Sequence, residues 1–479
     1  MNWRRTALLL FCGFLWISAL AEDTGSSGTP ATGAGQDAAG GAAATGAVEA
    51  PAAPVVMPGI YGSVPISLTP GSGRFARDPY NFTLTLSQGY DSNIFTTHSN
   101  QVSSPTTTGA LGFQMQSASP RTIFTLDSTL GISHYWNRPG QKPEDYNDHI
   151  GFVYFHRLSS RMSVSANFGL GYLSQPNFSA LNATVNQQSG NYWMQDGRLN
   201  LSYQWSAKFQ TSTSYSLNST LYEKTQTNNI VENTFGNEFH FLLTPRISLV
   251  AEGRYTLSAY PQTPSGDSNT LYGLLGADYS FSNRLRATLR SGLQYREYMN
   301  MVHSPSTLSP NELLFRPNYQ YTSTQSGNTQ SSPYLEATLS YIYGNQSTFQ
   351  WTNRFGLDSS NLASQKITSF RTGLNFSHVL TAKTTISLGL NYNVTSTQTA
   401  DESIQSIVPP PAMPPHTAVT RQSIPTTTQD QINSVLGIQF RLTPKFSLNA
   451  SYTFTDLLSE TPSGSYLRNQ ISLGGTYTF

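Results

Sequence analysis

Phe446-Ser447-Leu448-Asn449-Ala450-Ser451-Tyr452-Thr453-Phe454-Thr455 alternates without a break. Phe446, Leu448, Ala450, Tyr452 and Phe454 share one face; Ser447, Asn449, Ser451, Thr453 and Thr455 share the other. A period of two is the signature of a β-strand with one apolar and one polar side. Ile386, Leu388, Leu390, Tyr392 and Val394 repeat the pattern against Thr385, Ser387, Gly389, Asn391 and Asn393. So do Val164, Ala166, Phe168, Leu170 and Tyr172 against Ser163, Ser165, Asn167, Gly169 and Gly171. The outward face of a soluble sandwich is normally rich in Lys and Glu. Here the polar face is small and uncharged, and the apolar face suits lipid or a core.

Toward the C-terminus the same rule holds to the last residue. Leu467, Asn469, Ile471, Leu473, Gly475, Tyr477 and Phe479 lie on one side. A closing strand ending Tyr477-Thr478-Phe479 resembles the signal read by the outer-membrane barrel assembly machinery, which makes Tyr477 and Phe479 the candidate assembly signal.

Toward the N-terminus the strands are joined alternately by short and long connections. The short ones carry an apolar residue, Ser or Thr, a spacer and a base. Leu158-Ser159-Ser160-Arg161, Trp205-Ser206-Ala207-Lys208 and Leu243-Thr244-Pro245-Arg246 are three of them. Phe281-Ser282-Asn283-Arg284, Leu380-Thr381-Ala382-Lys383 and Leu442-Thr443-Pro444-Lys445 are three more. Ala118-Ser119-Pro120-Arg121 and the looser Gly344-Asn345-Gln346 complete the series. The long connections, notably 299–333 and 398–429, are rich in Pro, Ser, Thr, Gln and Asn. Short turns at one rim and long loops at the other are the wiring of an antiparallel transmembrane β-barrel. Eight short turns give about eighteen strands, with sixteen as the smaller alternative, and put both barrel ends on the short-turn rim.

Composition agrees. Charged residues are 11% of the 479, aromatics 12%, and 27 Lys+Arg balance 26 Asp+Glu to a net charge of +1. Such a balance gives no footprint for nucleic acid. Met1-Asn2-Trp3-Arg4-Arg5, the apolar run to Ser18 and Ala19-Leu20-Ala21 read as a cleaved signal peptide over 1–21. The run is shorter than the roughly 20 residues a membrane anchor needs. Cys12, the one cysteine, lies inside it, so the mature chain forms no disulfide. Residues 22–79 are low in complexity, as in Ala38-Ala39-Gly40-Gly41-Ala42-Ala43-Ala44, and read as a disordered periplasmic tether. The barrel is expected over 80–479, bound for the bacterial outer membrane and its lipid.

Alternation also sorts the charges. Leu285, Ala287, Leu289, Leu293 and Tyr295 point out, so Arg286, Arg290 and Arg296 point in. Glu252, Arg254, Asp278, Glu336, Arg354 and Arg371 follow, with Glu232, Glu238, Asp196 and Arg198 beside them. An Arg or Lys on the lipid face at midplane costs about 2–4 kcal/mol, which favours the lumen. Such a wall either steers hydrophilic solutes or is a solvated lumen of mutually paired charges, and neither sign dominates. Trp136, Trp193, Trp205 and Trp351 read as interfacial belts.

Catalysis has little to stand on. The eight His are scattered, and His156, His240 and His378 each precede a short turn. No H-E-x-x-H, Walker or G-x-S-x-G motif is present, and a hydrolase would need a Ser–His pair meeting on the barrel's outer face. Asp456 and Glu460 are better read as solvated loop carboxylates than as a calcium site. No metal or other cofactor is expected.

Leu84-Thr85-Leu86-Ser87-Gln88-Gly89-Tyr90-Asp91-Ser92-Asn93-Ile94-Phe95 resembles the opening strand of the outer-membrane β-barrel porins of exopolysaccharide operons. In that family a Gly-Tyr-Asp-Ser-Asn element ends the first strand, and turns of the Leu-Thr-Pro-Arg kind recur. The resemblance covers about 80–479 and implies a channel passing or exporting a polysaccharide. It transfers no catalytic residue. Asp91 and Asn93 are candidate ligands at the extracellular rim, or else the cap and Asx turn of the strand. The sequence thus points to a porin-like channel for hydrophilic solutes, with loops 299–333 or 398–429 as its constriction. The competing class is a structural or adhesive surface barrel whose long loops bind a partner.

Overall fold

The computed structural model describes residues 80–174, 191–223, 229–299, 320–324, 329–343, 347–360, 365–407, 416–423, 426–460 and 464–479. For 265, 320–324, 399–407 and 416–423 only the backbone is described. The expected signal peptide and tether lie outside these residues. Eleven strands open the chain: β1 (Tyr80–Asp91), β2 (Ser104–Ala118), β3 (Thr122–Tyr135), β4 (Glu144–Arg157), β5 (Met162–Leu173), β6 (Tyr192–Gln204), β7 (Phe209–Tyr222), β8 (Ile230–Thr244), β9 (Ile247–Ala259), β10 (Ser268–Ser280) and β11 (Leu285–Tyr298). After the short β12 (Gln320–Thr324) come β13 (Thr329–Tyr343), β14 (Ser347–Asp358), β15 (Gln365–Thr381) and β16 (Thr384–Ile407). Last are β17 (His416–Ser423), β18 (Thr427–Arg441), β19 (Phe446–Ser459) and β20 (Tyr466–Thr478).

Eighteen of these form the wall, each antiparallel to the next, and β1 pairs with β20 from Thr83↔Thr478 to Asp91↔Gln470 to close it. Closure leaves no edge at the join of first and last strands, which a wall in lipid requires. All eight short connections fall at the expected places, one of them, 344–346, outside the described residues. Their shared motif has a physical reason. The Ser or Thr hydroxyl accepts backbone N–H groups two and three residues on. Thr244 takes Arg246 (3.3 Å) and Ile247 (3.1 Å), and Thr381 takes Lys383 (3.2 Å) and Thr384 (3.0 Å). Ser282 and Thr443 repeat the arrangement, so the hydroxyl tightens the turn and the base is left in solvent.

The outer face is apolar. Leu275 (71% exposed), Leu293 (69%), Leu473 (63%) and Phe479 (67%) have no protein neighbours to cover them. At the rims Trp136, Trp205 and Trp351 donate their indole N–H to the hydroxyls of Thr107, Thr211 and Thr372 at 2.9–3.0 Å. Their rings remain on the lipid side as a belt. Among the described residues no helix is long and apolar enough to cross a membrane; the strands cross it.

Two features depart from the expected wiring. β16 runs 24 residues; its last eight pair with β17, from Ala400↔Ser423 to Ile407↔His416, and its last five with β12, from Ser403↔Thr324 to Ile407↔Gln320. Much of 398–429, and part of 299–333, is therefore strand rather than loop. No apolar face alternates along these stretches, so the sequence shows no strand signal there. The second departure is a fork. β13 pairs with β11 as far as Thr329, but with β14 only as far as Leu335↔Phe355. Above that level β14 leaves the wall while keeping its pairing with β15 to Asp358↔Ile367.

Pro333 explains the fork. Ile342 donates its N–H to Arg284 of β11, so even-numbered residues of β13 face β11 and odd-numbered ones face β14. The N–H that Pro333 lacks would have met Leu357 of β14. One step below, Gly356 lies so close to the wall that an added Cβ would be 2.8 Å from both the Tyr334 ring and Gln294 Oε1. Leu357 beyond it is 1% exposed, although alternation would aim it at lipid.

Candidate functional site

The inner face of β8 to β15 carries the barrel's charges. It presents Glu232, Glu238, Glu252, Asp278, Glu336 and Asp358 against Arg254, Arg286, Arg290, Arg296, Arg354 and Arg371. Bonds that skip strands are geometrically available only on the concave side, and they fix the direction of these side chains. Arg254 of β9 donates to Tyr334 (3.2 Å) and Glu336 (3.1 Å) of β13, passing over β10 and β11.

Two clusters result. In the lower one Arg290 donates to Asp278 at 2.7 Å and lies 3.7 Å from Glu252 and 4.0 Å from Glu238. His240 bridges Glu238 (3.0 Å) and Asp278 (3.4 Å), and Arg254 pairs with Glu252. In the upper one Arg371 pairs with the Asp358 carboxylate, while Arg354 stands 3.9 Å from it. Arg296 donates to the Asp358 carbonyl (2.5 Å) and to Thr270 Oγ1 (3.1 Å). Arg371 keeps Nε and Nη1 buried without a hydrogen-bond partner, next to an equally unpartnered Ser369 hydroxyl.

This upper cluster holds the inturned end of β14. The Gln294 amide takes the place of a backbone neighbour. It donates to the Leu357 carbonyl (3.2 Å) and accepts the Leu357 N–H (2.8 Å), the two groups that would have faced Pro333 in an unbroken ladder. Beyond it, Ser359 donates to Glu232 of β8, so residues 356–360 project from the wall toward the axis. They, and not a described part of 299–333 or 398–429, supply the inward-lying segment. Residues 300–319 and 408–415 lie outside the described residues.

Of the expected inward charges, Arg290, Arg296, Glu252, Arg254, Asp278, Glu336, Arg354 and Arg371 enter the two clusters. Arg286 sits on the same face near the short-turn rim but is exposed and in neither cluster. Asp196 and Arg198 lie apart on β6. Sequence reasoning missed Asp358, Gln294, Tyr334 and the network position of His240. The available signal was Pro333 in the middle of an alternating run, which marks where a ladder must stop.

The rest of the inner wall is nearly neutral, lined by residues such as Thr85, Asn200, Asn433 and Thr476 that hydrogen-bond across strands. Its exceptions are Asp196 and Arg198 on β6, the contacts of Asp127 with His149 (3.3 Å) and of Arg138 with Asp145 (2.5 Å), and the clasp at the closing join. Arg468 donates to both oxygens of Asp91 (Nε at 3.1 Å, Nη2 at 2.5 Å), Gln470 adds 3.1 Å, and both charged residues are 2% exposed. Asn93 donates its backbone N–H to Asp91 (3.0 Å) and bonds through its side chain to Thr97 and Leu467. The polar atoms of this motif are engaged by the protein itself, as in the cap and Asx turn.

Elsewhere, Ser347 Oγ and His378 Nδ1 meet at 3.1 Å on the outer face. Tyr343 and Phe376 flank that imidazole, and among the described residues no carboxylate pairs with it. It therefore lacks the third group that orients a catalytic base. No group of His, Cys, Asp and Glu among the described residues is arranged to hold a metal.

The barrel can be set beside solved structures. A BenF-like porin from Pseudomonas fluorescens Pf-5 matches with a TM-score of 0.40 and 10% identity over 84% of this chain and 99% of that one. Pseudomonas aeruginosa OccK2 (OpdF), solved with glucuronate, matches with a TM-score of 0.40 and 11% identity over 84% and 98%. The siderophore receptor PirA from Acinetobacter baumannii gives 0.39 and 7% over 84% and 80%. Likeness this distant carries no argument. No protein-family model and no curated protein matches the chain.

Proposed function

We propose that this protein is an outer-membrane channel through which hydrophilic solutes pass along the barrel axis. One observation carries the reading: a closed wall of eighteen strands with an apolar outside and a polar inside. At this width side chains do not fill the interior, and porins of 16–18 strands hold water there. The chain is exported by residues 1–21, and 22–79 tether it on the periplasmic side, where β1 begins. The assembly machinery reads Tyr477 and Phe479, both exposed outward at 39% and 67%.

The two halves of the lumen divide the work. The paired charges of β8–β15 form a stiff, balanced wall beside the inturned residues 356–360, which narrow the passage. Opposite them, hydroxyls and amides offer both donors and acceptors, the groups a sugar hydroxyl needs. The resemblance to porins of exopolysaccharide operons supplies a polysaccharide as cargo, and the neutral half is its track. Nothing in this account requires catalysis.

Single-channel conductance of the refolded mature protein in a planar bilayer tests the reading. We expect stable open steps that a neutral oligosaccharide interrupts from one side. Silence from folded protein, with and without residues 300–319 and 408–415, would remove the channel. The second reading, a surface barrel that binds a partner, would then lead. It draws on the three-stranded extension of β12, β16 and β17 beyond the wall.

A further inference from the structure

We propose that the fork between β13 and β14 is a lateral portal, through which an amphiphile moves its polar head between the outer leaflet and the lumen while its chain stays in lipid. This goes beyond passage along the axis, and it rests on the wall itself.

Ladder hydrogen bonds join β13 to β14 below Leu335↔Phe355 and stop there. Above, the β13 lip keeps its pairing to β11, but among the described residues Ser331 and Pro333 meet no ladder partner on the other side. Among the described residues, the gap is spanned at the top by side chains: Gln330 donates to the Gln365 carbonyl (3.0 Å), and Lys366 donates to the Ser331 carbonyl (3.1 Å). Behind it stands the Gln294 bond pair to Leu357. Among the described residues the fork is thus held shut by side-chain contacts, each individually weak, and not by a backbone ladder. A backbone ladder in hydrocarbon has no such freedom, because parting it strands N–H and C=O groups where no water reaches.

The fork also lies at lipid depth. Pro333 is the register partner of Leu293, whose side chain is 69% exposed on the outer face. Phe370, opposite Phe355 at the crotch of the fork, is 38% exposed there as well. Nine residues separate Tyr334 from the end of β13 at Tyr343. At about 3.3 Å per residue and about 40° of tilt that is roughly 23 Å, near the top of an apolar band about 25 Å tall. The outer mouth is therefore flanked by the apolar Leu293, Leu335 and Phe370, with Lys366 crossing it, and lies at the headgroup boundary. The inner mouth is polar, and there Arg371 Nε and Nη1 and the Ser369 hydroxyl are buried without partners. Apolar outside and unmet polar groups inside describe a molecule with a polar head and an apolar chain.

The test uses the mature, cysteine-free barrel with one cysteine at Ser332 or, as control, at Ser340. Both lie on the inner face of β13, but Ser340 is paired on both sides, to Arg286 and Gln350. Each carries a fluorophore, in vesicles containing a lipid with a nitroxide high on its acyl chain, and heat-modifiable migration establishes folding. We expect the Ser332 probe to be quenched several-fold more than the Ser340 probe, and more again after Gln294→Ala. Equal, weak quenching at both positions in both chains would overturn the portal, as would quenching at Ser332 by a water-soluble nitroxide alone. Neither result depends on conductance, so the axial channel would stand or fall separately.

Discussion

Asp91 and Arg468 show how one buried pair can join the two ends of a chain. Each is 2% exposed, and their bond crosses the join of β1 and β20. Removing one partner strands the other charge, which costs about 3–5 kcal/mol, whereas replacing both with apolar side chains of similar size is often neutral. Asp91→Ala is therefore expected to lower stability by that amount in denaturant unfolding in micelles, followed by Trp fluorescence. Asp91→Leu combined with Arg468→Met is expected to recover most of it. Gly356 is tested similarly. Its missing Cβ would sit 2.8 Å from the Tyr334 ring and from Gln294 Oε1, so Gly356→Ala should cost about 1–3 kcal/mol in the same assay. At this scale the sequence was half legible. Alternation sorted Arg290 from Leu289 correctly, but no local pattern ties Gln294 to Leu357, 63 residues away.

At the scale of the strand, β13 gives a prediction that follows from alternation alone. The N–H groups of Gln330, Ser332 and Tyr334 face β11 and are paired, whereas that of Ser331 faces the fork. Hydrogen exchange should therefore show Ser331 exchanging far faster than Leu335 or Ala337, whose N–H groups face β14 within the ladder. Equal protection at all three would mean that β13 and β14 are paired to the top. The strands were readable because lipid and water impose opposite demands on successive residues, and the turns because a hydroxyl must sit where two N–H groups need it. β12, β17 and the end of β16 were not, since their sequences carry no regular alternation of apolar and polar residues. Pro333 was visible but unweighted: in a wall without edges, an interior proline is a structural statement.

Across the whole barrel the inner charges nearly cancel, so the channel should discriminate weakly between small ions. Reversal potentials in a potassium chloride gradient are expected near zero. Arg286, exposed and outside both clusters, is the place to shift the balance without breaking a pair. Arg286→Gln should move the reversal potential toward cation preference and leave thermal stability unchanged within about 0.5 kcal/mol. The clasp of Asp91 and Arg468 has a consequence of another kind. Its two halves are 377 residues apart, the first ending β1 and the second near the start of β20. A chain without β20 would keep the Asp91 carboxylate without its cation and β1 without its closing partner. The clasp thus acts as a seal between the first and last strands, and it can form only once the two have met.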